Sequence, residues 1–557
     1  MTTADTNISR GTAPAGLLDR ERIIARPGFN RWLVPPAALA IHLCIGMAYG
    51  FSVFWLPLSK ALGAPTPAPA ECTSLNLLTA LFTTSCDWRV SDLGWIYTLF
   101  FVLLGSSAAI WGGWLERVGP RKAGVVSACC WCGGILIAAV GVLFHQLWLM
   151  WIGAGVIGGI GLGLGYISPV STLIKWFPDR RGMATGMATG MAIMGFGGGA
   201  MIGAPLASLL MNHFRVDGSV GVWQTFIVMA AIYFVFMMGG AFGYRLPPAG
   251  WRPEGWTAPA AKSAMITTKH VHLRDAHKTK QFWLIWAVLC LNVSAGIGVI
   301  GMASPMLQEI FGGALIGLPD VGFTALSKDQ VASVAAIAAG FAGLLSLFNI
   351  GGRFFWASLS DKIGRKNTYY CFFVIGIALY ILAPWAAGIH SKVLFVGALC
   401  IILSMYGGGF ATVPAYLADI FGTQFVGAIH GRLLTAWATA GIIGPVVVNY
   451  IREAQKAAGV EGAQLYSFTM YILAGMLALG LIANSLVRPL SDKWFMSDEE
   501  VAALQAKTAA ANAGPTGSFG IGTGGFDGKA LIAWALVGIP LLWGVWVTIK
   551  STYALFG

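Results

Sequence analysis

Long apolar stretches alternate with short polar ones along almost the whole chain. A membrane-spanning helix needs about 20 predominantly apolar residues. Twelve stretches meet that need, in two blocks of six. The first block covers roughly 32–58, 91–112, 123–144, 147–173, 183–212 and 221–244. The second covers roughly 281–311, 331–357, 368–388, 393–418, 427–450 and 466–488. A charged segment, 245–280, lies between the blocks. Beyond the twelfth stretch, residues 508–527 have the Gly/Ala/Thr-rich composition of a flexible linker. Lys529 and Lys550 then bracket one more apolar run. That run lacks the polar face of a surface-lying helix, so it reads as a thirteenth span. The pattern predicts an all-α membrane protein with a tail (1–31), an N-terminal six-helix bundle (32–244), a central loop (245–280), a C-terminal six-helix bundle (281–488), a linker (489–528) and an extra transmembrane helix (529–550).

Composition strengthens this reading. Of 557 residues, 57% are hydrophobic and 10% charged, where soluble domains carry about a quarter charged residues. So few charges cannot solvate the surface of a water-soluble chain of this size, and lipid is the natural solvent. The 74 glycines fit as well, because small residues let membrane helices approach closely.

The net charge of +12 is not a nucleic-acid signature, because the bases form no stripe. They cluster in alternate loops: Arg20, Arg22 and Arg26 in the tail, Arg117, Arg121 and Lys122, then Lys175, Arg180 and Arg181, then the central segment, then Lys362, Arg365 and Lys366. The intervening loops hold few, such as Lys60, Arg215 and Lys392. By the positive-inside rule the N-terminus is cytoplasmic. The polar first thirty residues read as a cytoplasmic tail rather than a cleavable signal. The expected partners are the bilayer and a small solute, with no nucleic acid and no indicated protein partner.

Cys72 and Cys86 share the long segment 59–90. In an oxidising compartment they can form a disulfide; two free thiols remain the alternative. Cys129, Cys130 and Cys132 have no His or carboxylate companions in the pattern, so no metal site is expected, and no cofactor. The His270 and His272 pair reads as solvated loop residues. No paired acids or nucleophile–base set marks an enzyme.

Two loops repeat each other. One reads Gly112-Gly113-Trp114-Leu115-Glu116-Arg117-Val118-Gly119-Pro120-Arg121-Lys122, the other Ala357-Ser358-Leu359-Ser360-Asp361-Lys362-Ile363-Gly364-Arg365-Lys366. Both run small-x-x-x-acid-base-x-Gly and then bases, at equivalent places in the two blocks. This doubled pattern resembles the loop signature of the major facilitator superfamily, an internal-repeat transporter fold. The resemblance implies a gating role for Gly112, Glu116, Arg117, Gly119, Arg121, Asp361, Lys362, Gly364 and Arg365. The small residue would allow helix approach, and the acid would pair with nearby bases or a helix end. The segments Gly165-Tyr166-Ile167-Ser168-Pro169 and Tyr406-Gly407-Gly408-Gly409-Phe410 further resemble the oxalate/formate antiporter family, a relative of the monocarboxylate transporters.

Arg353 is the leading candidate for binding. It precedes Asp361 by about two helical turns, roughly 12 Å into the membrane at ~1.5 Å per residue. A charge at that depth usually faces a water-filled cavity, and a guanidinium grips a carboxylate bidentately. Both related families carry an arginine at this place. The resemblance adds Tyr49, Tyr166 and Tyr406, whose hydroxyls can donate to a carboxylate. Two departures bear on the substrate. The antiporter pattern has a lysine in the eleventh span, where Leu433 to Tyr450 holds no Lys or Arg; a lone cation suits a monocarboxylate. Asn349 stands where proton-coupled relatives carry Asp, and it cannot titrate. The expectation is a carrier of small carboxylates such as formate or oxalate, working by exchange with alternating access in a bacterial inner membrane. Proton-coupled symport and a non-transporting sensor are the alternatives.

Overall fold

The computed structural model describes residues 16–26, 28–62, 75–177, 181–216, 218–248, 251, 267, 269–422, 424–503 and 527–556; the side chains of 174, 181–195, 427 and 554 are not described. Thirteen long helices organise the chain. They are α1 (Arg31–Leu58), α2 (Val90–Val118), α3 (Pro120–Leu143), α4 (Leu147–Leu173), α5 (Arg181–Phe214), α6 (Val222–Gly243), α7 (Lys280–Ile316), α8 (Lys328–Ile363), α9 (Arg365–Gly388), α10 (Lys392–Phe421), α11 (Ala428–Ala457), α12 (Gly462–Leu486) and α13 (Gly528–Thr552). All except α5 are long and apolar enough to cross a membrane on their described residues alone, and α5 runs for 34 residues. Isolated bridges are the only β-pairing among the described residues. Cys72, the Gly-rich linker short of Asp527, and the repeat Gly182 to Gly190 at side-chain level lie outside the described residues.

The helices sort as the pattern predicts. α3 packs on α6 and α4, and α1 on α5 and α6; in the second half α9 packs on α12 and α10, and α7 on α11 and α12. The two halves meet along α2 with α11, α5 with α8, and α1 with α7. Local structure repeats between halves. α2 ends at Gly119 and α8 at Gly364, both at φ +87°, a backbone state that only glycine enters without strain. α3 and α9 both end in a 6→1 turn, Gln146 N to Gly141 O at 2.7 Å and Ser391 N to Ala386 O at 2.9 Å. The residue in the left-handed region is a histidine each time, His145 at φ 51° and His390 at φ 56°, where glycine is usual.

α13 is an addition to this plan. It lies against α8, α5 and α1, with Trp534 Nε1 donating to Trp32 O at 3.1 Å and Thr548 Oγ1 to Met201 O at 3.4 Å. Its outer face carries exposed Leu531, Ile532, Leu536, Leu542 and Ile549, as a lipid-facing helix requires.

Candidate functional site

Two irregular helices shape the centre. α1 is wound as a 3-10 helix over Gly46–Phe54, and this stretch carries Tyr49. Tighter winding inside a long helix often marks a functional bend. A Cβ on Gly199 of α5 would sit 2.3 Å from Gly46 C, so α1 and α5 touch backbone to backbone there. On the other side, a Cβ on Gly407 would sit 2.2 Å from Asn349 O. Tyr406-Gly407-Gly408-Gly409 thus lets α10 press onto α8 and turns Tyr406 inward.

Arg353 is 1% exposed. Its Nε donates to Asn349 Oδ1 at 3.0 Å, one turn back on α8, and its guanidinium carbon lies 5.7 Å from the Phe410 ring centroid. Its Nη1 is buried without a hydrogen-bond partner among the described residues. Tyr49 and Tyr406, from opposite halves, share a hydrogen bond of 2.8 Å between their hydroxyls. Tyr166 lies 5.2 Å from Trp437 and 5.6 Å from Phe196, ring to ring. Arg353 interacts electrostatically with Tyr49, Tyr166 and Tyr406. All five residues expected at the site therefore converge on one region between the halves. A cavity of about 10 Å³, lined by Tyr49, Ser346, Asn349 and apolar side chains, has room for about one water. The site is closed around its arginine.

Sequence patterning missed several members. Phe196, Phe410 and Trp437 complete the aromatic wall, with Phe410 4.4 Å from Trp437. His42 stacks on Tyr166 at 5.6 Å and 16°, and its Nε2 lies 3.2 Å from Tyr166 O. The signal for His42 was available: it precedes Tyr49 by two turns on the same face of a helix.

The buried acids are spoken for. Glu309 of α7, its side chain 8% exposed, pairs with Arg452, with Tyr466 Oη donating to it at 2.6 Å. Arg452, expected in a loop, is itself 1% exposed. It sits in the last turns of α11, where the long stem reaches back into the bundle. Asp92 pairs with Arg89 at 2.9 Å. Among the described residues Arg353 forms no ion pair. Arg432 is exposed at one end of α11, donating to Leu273 O at 2.7 Å.

The repeated loops sit together at one end of the molecule. Glu116 accepts from Lys175 Nζ and Ser171 Oγ, each at 2.6 Å. Arg121 donates to Phe242 O at 3.2 Å and Leu17 O at 2.9 Å, tying down the end of α6. Its counterpart Lys366 donates to Val487 O at 2.7 Å and Ser485 O at 3.2 Å, tying down the end of α12. Arg365 bonds Asp361 and Ser360 and lies 3.7 Å from Asp419 of α10. Arg117 and Lys362 are exposed. Gly112 departs from expectation: a Cβ there would meet nothing within 4 Å, so it permits no close helix approach here. The reason is that the α2/α11 seam is closed from Gly94, where a Cβ would sit 2.1 Å from Asn449 Nδ2, to Gly105, 2.8 Å from Ala438 Cβ, and has parted by Gly112. Trp55 Nε1 of α1 donates to Gly301 O of α7 at 2.7 Å on the closed side.

At the end of the long segment 59–90, Cys86 is disulfide-bonded, while the cysteines at 44, 129, 130, 132, 290, 371 and 400 are free. No group of His, Cys, Asp and Glu is placed to hold a metal among the described residues.

Two helical bundles around a central closed site, with a repeated charged loop at one end, define a membrane transporter. The chain belongs to the Major Facilitator Superfamily, whose model matches residues 38–445. It is 27% identical over 420 residues to the oxalate:formate antiporter of Oxalobacter formigenes, covering 74% of this chain and 83% of that protein. It is 25% identical over 453 residues to apicoplast pyruvate carrier 1 of Toxoplasma gondii, covering 72% and 76%. It is 23% identical over 442 residues to monocarboxylate transporter 12 of Rattus norvegicus, covering 76% and 84%. Among solved structures it resembles a partially occluded inward-open form of the xylose transporter XylE from E. coli, with TM-score 0.54, 13% identity, and 81% of this chain and 96% of that one covered. That likeness concerns the fold alone.

Proposed function

We propose that this transporter carries small carboxylate anions by exchange, holding the anion on Arg353 between the two halves. One observation carries the reading: a buried guanidinium whose Nη1 has no partner among the described residues, while Glu309 and Asp92 are engaged by other arginines. A buried, unpaired charge is costly, so the site favours an anion that supplies the missing acceptors. Tyr49, Tyr406 and Asn349 are the neighbours that hydrogen-bond it, and Tyr166, Phe196, Phe410 and Trp437 exclude water. The relatives named for oxalate:formate antiport, pyruvate and monocarboxylates support this chemical class. A lone arginine favours a monocarboxylate or a small dianion that leaves one carboxylate to the hydroxyls.

In this reading the repeated loops face the cytoplasm of a bacterial cell, the N-terminus is inside, and the closed Gly94/Asn449 end faces out. The structure is then an occluded state leaning inward. Asn349 has no proton to exchange, which supports exchange over proton symport at that position.

Counterflow in proteoliposomes tests the proposal. Vesicles preloaded with unlabelled formate, oxalate, lactate or pyruvate should concentrate the labelled anion transiently. The proposal fails if no small carboxylate drives accumulation while a neutral or cationic solute does.

A further inference from the structure

α13 packs on the rest of the protein toward its two ends, at Trp534 and Val537 on one side and from Gly544 onward on the other, and leaves a gap around Pro540. Near its start Trp534 bonds Trp32 O of α1. Near its end Thr548 bonds Met201 O of α5, and a Cβ on Gly340 of α8 would sit 2.5 Å from Ser551 Cβ. Between these anchors lies a cavity of about 420 Å³. Its walls are Ala40 and Leu43 of α1, Gly199 and Ile202 of α5, Phe236 of α6, and Val537 with Pro540 of α13. Pro540 lies inside α13 and lines the gap; a proline there leaves one helix hydrogen bond unmade.

Such a space does not stay empty. Protein interiors hold few voids larger than a water, and apart from the single Tyr233 hydroxyl its walls are apolar, whereas a buried water needs two or more polar partners. The surroundings narrow the occupant. Leu209, Val235, Leu536, Ile539 and Leu542, on the neighbouring faces of α5, α6 and α13, are exposed apolar side chains of spanning helices. What reaches the opening is therefore lipid hydrocarbon. Ala40, Gly199 and Gly203 put small residues along its wall, which leaves room for a flexible hydrocarbon chain.

We infer that the cavity between α13 and α1, α5 and α6 is a binding site for an acyl chain of a bilayer phospholipid. The lipid replaces the packing that α13 does not make, and α13 forms the outer wall of the site. The same helix α5 that lines the cavity at Gly199 and Ile202 reaches the transport site at Phe196 and Gly197, where a Cβ would lie 3.3 Å from Arg353 Nε. Occupancy thus bears on the spacing of α5 against α8. The inference is independent of which solute is carried.

The test uses the full chain in nanodiscs containing a phospholipid with a diazirine at mid-acyl depth. After illumination, labelled peptides are mapped by mass spectrometry. Label should concentrate on 199–206, 232–236 and 537–543, above the level on the bare flank of α9 around Val374 and Trp385. Val537→Trp and, from the opposite wall, Leu206→Trp should each cut cavity labelling severalfold without changing label on α9; thermal stability selects whichever variant folds. Uniform labelling of all flanks, or cavity labelling unchanged in a folded Trp variant, overturns the site. An excess of unlabelled free fatty acid separates the lipid sources: cavity label that persists supports a phospholipid tail, and selective loss of cavity label with α9 label unchanged assigns the site to a free fatty acid and overturns the phospholipid assignment.

Discussion

The α2/α11 seam and the α5/α8 seam are built from equivalent helices, because α2 and α8 carry the repeated loop and α11 and α5 occupy matching places in the two halves. Their chemistry differs at the same depth. Aligning Glu116 with Asp361 puts Ala108 where Arg353 stands and Leu104 where Asn349 stands. The α2/α11 seam is a close apolar contact at this depth, with Phe101 on Gly441 and Gly105 on Ala438. The α5/α8 seam carries the buried cation, and it is the one that α13 covers. The pseudo-symmetry thus supplies two equivalent seams, one with a buried cation and the other packed through small residues.

The largest effect is expected where the seams differ most. Arg353→Gln removes the charge proposed to pair with the anion; losing one side of a buried charge pair costs about 2–5 kcal/mol. Exchange should fall by roughly 30-fold to a few thousandfold, since ~1.4 kcal/mol is tenfold. Placing arginine at the equivalent position, as Ala108→Arg in the Arg353→Gln background, should not restore it. Counterflow rates check both, and unchanged exchange in Arg353→Gln would remove the site assignment. Asn349→Asp should also matter strongly, because a carboxylate one turn from Arg353 competes with the anion and can titrate. Slower exchange with a new dependence on pH is expected, read as uptake against external pH.

The uncharged seam should respond through packing. Gly94→Leu forces side-chain atoms into Asn449, an overpacking worth about 1–3 kcal/mol. That end should no longer close, and a cysteine pair across Trp95 and Tyr450, whose side chains bond at 3.2 Å, should crosslink less in the variant. Gly197→Ala meets its neighbours at 3.2–3.3 Å and should be milder.

The loops allow a smaller contrast. Pro120 occupies the Arg365 position in the first copy, and Glu116 takes its base from Lys175 instead. Lys175 and Glu116 are 36% and 52% exposed, so Lys175→Ala should cost little, under about 1 kcal/mol. Arg365 is 17% exposed and serves both Asp361 and Asp419. Arg365→Ala should therefore disturb transport and melting more than Lys175→Ala does.

The smallest effect concerns the matched turns. His145 stacks on Trp88 with centroids 3.9 Å apart, and burial lowers its pKa below the ordinary imidazole value, against the opposing pull of Cys86 O and Asp87. Protonation is thus harder in the folded chain than in the unfolded one. Stability from this group is present above about pH 6.5 and declines as pH falls from there towards the lowered value. Melting curves should show a shallower acid loss in His145→Gln than in the native chain; identical slopes would remove the argument.

Much of the site was legible because intramembrane polar residues are rare. Arg353 stood out against apolar neighbours, and the doubled loop fixed its register. Asn349, Tyr49, Tyr166 and Tyr406 came from resemblance. Phe196, Phe410 and Trp437 were not legible, since aromatic residues are common in these spans and only proximity distinguishes them. The Glu309–Arg452 pair was not legible, because nothing local in the sequence joins two residues so far apart in the chain.

Hydropathy along the chain determined the number of spans, their two blocks, the extra helix and the depth of Arg353, because a bilayer imposes a one-dimensional rule of about 20 apolar residues per crossing. Tertiary structure decided which buried acids have partners, which seam is closed, that Gly112 stands free, and where α13 rests. Those depend on contacts between residues far apart in the chain, and no local period encodes which of several apolar faces will meet.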